Sequence, residues 1–173
     1  MTQYKNSLKS FRLIVSFFIG ICVWSCSGSG GSQSASMKIV QIGEPLATDF
    51  FDVTVEATEM AYKVNTGNQF TSLKEQEGHV YLLIKANFKN VDSESRMIDG
   101  GMVIINYNGK DYKFDSPEPI IEEGWGIFLD QINPLTSKIT RLVYKLPVEI
   151  KGPAYYQPGR NSDGGLISLG EIK

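Results

Sequence analysis

Apolar and polar residues alternate along most of the chain beyond residue 50. Phe51, Val53, Val55 and Ala57 fall on one side of an extended segment, with Asp52, Thr54, Glu56 and Thr58 on the other. Val80, Leu82, Ile84, Ala86 and Phe88 alternate in the same way with Tyr81, Leu83, Lys85, Asn87 and Lys89. Thr140, Leu142, Tyr144 and Leu146 alternate with Arg141, Val143 and Lys145. A period of two predicts half-buried strands in an antiparallel arrangement, with one face toward a core. Met102–Tyr107 and Lys110–Phe114 flank Asn108-Gly109, a dipeptide that favours the primed turns of a tight hairpin. Shorter strands are predicted over 38–42 and 166–169. The seven prolines fall between these runs or at their ends, as strands require. No long 3.6-residue pattern competes, and only a short helical turn is predicted around Ile120–Gly124. About seven to eight short strands predict an all-β fold, an antiparallel β-sandwich of two sheets.

The first 36 residues follow other rules. Residues 1–12 are polar and carry Lys5, Lys9 and Arg12 with no acid, and residues 13–24 are almost wholly apolar. A dozen apolar residues are too few to span a bilayer core as a helix, which needs about 20. Basic, apolar and then small residues form the signal-peptide order. Val23-Trp24-Ser25-Cys26 resembles the lipobox of bacterial lipoproteins, with a small residue at Ser25 before the cysteine. The resemblance implies diacylglycerol on the Cys26 sulfur, cleavage between Ser25 and Cys26, and acylation of the new amine. Two or three acyl chains anchor stably, at about 0.8 kcal/mol per buried methylene. Ser27 to Ser36 is Gly/Ser-rich, with a root-mean-square reach of roughly 17 Å. The expected organisation is a signal peptide over 1–25, a lipidated cysteine and linker over 26–36, and one folded domain over 37–173. The expected location is the cell envelope, facing the periplasm from the outer membrane if the cell has two membranes.

Charge and cysteine content narrow the function. The chain has 17 basic and 19 acidic residues. Removing the three basic residues of the leader leaves 14 against 19, a net charge of −5. Such a surface gives no electrostatic reason to bind nucleic acid. Both cysteines, Cys22 and Cys26, precede the domain, so the domain is expected to fold without disulfides.

The order of several short pieces gives a further resemblance. Ile42-Gly43-Glu44-Pro45 and Phe51-Asp52-Val53-Thr54-Val55 are followed by the long alternating run from Tyr81 to Asn90. The hairpin Asn106 to Tyr112 comes next, and Asn133-Pro134 leads into Arg141 to Pro147. From about Gly43 to Ile172 the chain resembles the telokin-like immunoglobulin-fold domain of bacterial lipoproteins, a family of unknown function. The family usually has glycine after that first proline, where this chain has Leu135. The resemblance implies a fold and an envelope location, and brings no catalytic residues.

Candidate chemistry is sparse. His79 is the only histidine and is expected at a strand end; no nucleophile-elbow motif accompanies it. A zinc site would need clustered His or Cys ligands, so no metal or cofactor is expected. Asp92, Glu94, Asp99, Glu118, Glu122, Glu123 and Asp130 could in principle meet calcium, but none sits in a calcium-loop pattern. Trp125 between two glycines and Tyr155-Tyr156 between two prolines are candidate ligand contacts, since aromatic rings supply binding area at low entropic cost. The alternative is that Trp125 and one tyrosine close the end of the core. No catalytic residue is expected. The reading is a non-catalytic binding module for an envelope protein or a glycan, held to the membrane through Cys26. The rivals are an accessory subunit, structural or sensing, of an envelope complex and an enzyme with an unrecognised carboxylate site.

Overall fold

In the computed structural model, residues 37–127, 131–159 and 164–173 are described. The leader, Cys26 and the linker lie outside the described residues, as does Asp130. The fold is an all-β sandwich. One sheet has the order β1 (Ile39–Val40), β11 (Leu166–Ile172), β10 (Gly152–Gln157), β6 (Met102–Tyr107), β7 (Lys110–Phe114). The other has the order β2 (Leu46–Ala47), β3 (Phe51–Ala61), β4 (His79–Asn90), β9 (Ser137–Pro147). β5 (Arg96–Met97) and β8 (Gln131–Ile132) form a short ribbon of their own. Pairing is antiparallel except for β1 with β11, where the opening strand runs parallel for two residues.

Inward residues of both sheets make one core. Val53, Val55, Leu82, Ile84, Phe88, Leu142 and Tyr144 come from one sheet, and Val103, Ile105, Tyr156 and Ile167 from the other. Phe51 meets Phe88 edge to face with ring centroids 6.1 Å apart, a geometry that the ring quadrupoles favour. The predicted hairpin forms as read: Asn108 and Gly109 both have positive φ, and Tyr107 pairs with Lys110. His79 opens β4, as expected of a strand end.

Three readings are corrected. Ala57 does not share the face of Val55, because the register shifts between them and Ala57 pairs with Lys85. A β-bulge at Glu56 reverses the alternation there, and Glu56 pairs its carboxylate with Lys85 at 2.7 Å. Residues 152–157, where the sequence predicts no strand, form a central strand. Pro153 lies in it, but pairing with β6 begins only at Ala154, so the missing N–H breaks no bond on that side. Finally, the outward face of β4 and β9 is not left to solvent.

On that face Tyr81 and Val143 are buried, with Val64 and Ile120, in a second apolar cluster that Leu73, Leu83 and Trp125 pack against. Two segments cover it. The β3–β4 connection folds back, closing an isolated bridge between Val64 and Leu73, and Tyr81 donates its hydroxyl to the Lys74 carbonyl. The strap after β7 runs along the free edge of β9: the Glu118 N–H donates to Val143 O, the Gly126 N–H to Arg141 O, and the Arg141 N–H to Gly124 O. An edge that would otherwise offer unpaired backbone groups is thereby covered.

Candidate functional site

The approach to β6 builds the site. Gly101 has φ of +66°, and a Cβ there would collide with the carbonyl oxygen of Gln157. Only glycine lets the chain pass so close to the end of β10. The Gly100 carbonyl accepts two buried hydroxyls, from Tyr144 at 2.6 Å and Tyr156 at 2.9 Å. Those tyrosines belong to opposite sheets, so this one carbonyl ties the loop to both. The neighbouring Asp99 is set by the same tie, with Oδ1 accepting the N–H of Gly101 at 3.1 Å.

Asp99 lines a cleft of about 740 Å³ whose other wall is the strap after β7. That strap contributes Asp115 and Glu118, while Met102, Pro117, Ile120 and Ile127 make apolar walls. An adjoining hollow of about 330 Å³ shares Asp99 and Gly159 and adds Asp49, Phe50 and Met97. No lysine or arginine lines either one among the described residues. Asp115 accepts a bond from its neighbour Ser116, and Glu118 stands 3.7 Å from Lys145. Carboxylates on an apolar floor suit a cation carried on an apolar stem, such as lysine or arginine. No three Asp, Glu, His or Cys side chains among the described residues are grouped to hold a metal.

Burial raises the pKa of Tyr144, with Asp99 and Asp115 adding to it, and burial raises that of Tyr156 as well, with Tyr144 and Asp99 adding to it. A tyrosine whose folded pKa exceeds its unfolded value of 10.0 stabilises the fold fully below pH 10. That contribution is lost as the pH climbs toward the folded value, because only the unfolded chain can ionise. Unfolding free energy should therefore fall above about pH 10 by about 1.4 kcal/mol per pH unit for each such tyrosine. Tyr81, raised by burial and by Glu118, acts in the same direction. Urea titrations across pH 9–11.5 test this, and Tyr156→Phe should reduce the slope by one proton.

The structure separates the aromatic candidates. Tyr156 is fully buried, and with its hydroxyl on Gly100 it is a core residue, not a ligand contact. Tyr155 is half-buried on the outward face of β10. Trp125 is also half-buried, but at the second cluster on the other sheet, with the Arg141 guanidinium 5.2 Å from its ring centre. The three rings share no site. Asp92 and Glu94 both pair with Arg96, and the guanidinium holds the Asp92 carboxyl below its usual range. Glu122 accepts from Asn68 and Thr71. Asp115 was not singled out by sequence; its only signal is its place just after a hairpin strand.

No family model and no curated protein sequence matches the chain. Among solved structures, the fold is similar to an uncharacterized β-sandwich protein from Clostridium difficile 630. The TM-score is 0.56 at 22% identity, over 79% of this chain and 96% of that one. It is also similar to a conserved hypothetical protein from Bacillus anthracis, with TM-score 0.50 at 20% identity, over 78% of this chain and 95% of that one. At such identity the likeness shows the fold alone.

Proposed function

We propose that the chain is an exported lipoprotein, anchored through Cys26, whose β-sandwich binds a basic segment of another envelope protein without catalysing a reaction. The observation that carries the binding reading is the cleft itself: Asp99, Asp115 and Glu118 line it together with the apolar side chains of Met102, Pro117, Ile120 and Ile127. A glycan platform is less well supported, because Trp125, Tyr155 and Tyr156 do not meet. The anchoring half rests on Val23-Trp24-Ser25-Cys26 and the tether behind it. The telokin-like resemblance gains support at Leu135. Its φ is +61° although it is not glycine, and Thr136 N–H closes the turn on Asn133 O. This is the left-handed position that glycine favours, where the family usually has one.

The test is calorimetric titration of the full-length protein in detergent with an amidated Lys-Leu-Lys-Leu-Lys peptide. Saturable, salt-sensitive binding is expected. Combining Asp99→Asn, Asp115→Asn and Glu118→Gln should weaken it about tenfold, as the loss of three partly exposed charge pairs implies. Equal binding of a Glu-Leu-Glu-Leu-Glu peptide, or an unchanged affinity in the triple variant, would contradict the proposal.

A further inference from the structure

The two segments covering the second cluster also present an apolar pair to solvent. Phe70 is 86% exposed and Ile121 60% exposed, the first on the β3–β4 connection and the second on the strap. A glutamate staples the two segments together. Glu122 Oε2 accepts from Asn68 Nδ2 at 3.0 Å and from Thr71 Oγ1 at 3.2 Å, on either side of Phe70. The loop is further fixed from within. Asn68 Oδ1 accepts the N–H of Phe70, and Thr66 Oγ1 lies 2.7 Å from Thr71 Oγ1. The Ser72 hydroxyl donates to Asn68 O at 2.7 Å. An aromatic ring held out on a fixed backbone has lost little freedom still to be given up on binding.

We infer that Phe70 and Ile121 form a second contact surface, which inserts into an apolar socket with a basic rim on a protein partner. Charge and shape choose this occupant. Glu75, Glu77, Glu122 and Glu123 outnumber Lys63 and Lys74 on the two segments, so the surface is repelled by anionic lipid and by a second copy of itself. Two side chains on a projecting loop also fall far short of the roughly 800 Å² per partner of a stable flat dimer. A projection matches a concavity in the partner, where a buried aromatic anchor contributes most. Neither Phe70 nor Ile121 lines the acidic cleft, so either contact can fail without the other.

A photoreactive benzoylphenylalanine at position 70 of the full-length protein, irradiated in intact cells, reads the contact directly. The expected result is one discrete adduct with a different protein, reduced at least fivefold when Glu75→Lys and Glu123→Lys are combined. Phe70→Ser should leave the urea midpoint of the purified protein unchanged. Adducts with lipid or with a second copy, no adduct, or one insensitive to the charge reversals would overturn the inference.

Discussion

Replacing Tyr81 with alanine is expected to destabilise the domain by about 3–5 kcal/mol, the range for large aromatic truncations in a core. Tyr81 lies on the side of β4 that its own alternation assigns to solvent. A side chain on an open sheet face costs within about 0.5 kcal/mol when removed. Here only 1% of Tyr81 is exposed, because the β3–β4 connection and the strap beyond β7 close over it. Truncation leaves a cavity among Val64, Ile120 and Val143 and strips the Lys74 carbonyl of its hydroxyl partner. Tyr81→Phe keeps the packing and loses only that bond, a cost of about 1 kcal/mol. Urea unfolding of both variants gives the comparison. If Tyr81→Ala and Tyr81→Phe cost the same, the two covering segments do not form a second core. If they differ by about 3 kcal/mol, the cluster is part of the cooperative fold.

The same cluster shows why part of the fold was legible in the sequence and part was not. Period-two alternation identified β3, β4 and β9, and Asn108-Gly109 fixed the β6–β7 hairpin, because those signals are local. The burial of Tyr81 and Val143 depends on segments distant in the chain, near Val64, where the sequence predicts no strand, and near Ile120, where it predicts only a short helical turn. β10 was hidden by composition: Gly152, Pro153 and Pro158 around Tyr155-Tyr156 are turn-forming residues used here at the two ends of a buried strand. Ala57 was misplaced because a single bulge residue inverts every side chain after it.

The candidate site was legible only as scattered acids. Asp99 and Glu118 stood out as loop carboxylates, yet nothing local sets them across a cleft from each other. Their approach is set by the β6–β7 register and by the Gly100 carbonyl, on which tyrosines from opposite sheets converge. Gly101 carries a similar long-range constraint, since the backbone it must avoid belongs to Gln157.

The proposed anchoring at Cys26 would decide which partners the cleft can meet, so its test bears on the proposed function more directly than any variant of the domain. At about 0.8 kcal/mol per buried methylene a single acyl chain holds a protein only marginally, whereas two or three together anchor it stably. With two or three chains on Cys26, essentially all of the protein should sediment with membranes. The chain has only one other cysteine, Cys22, which lies within the segment expected to be removed. Cells grown with an alkyne fatty acid should therefore give a labelled protein that sediments with membranes, and Cys26→Ala should lose the label completely. Labelled wild type with unlabelled Cys26→Ala is the predicted result; a soluble, unlabelled wild-type protein would contradict it.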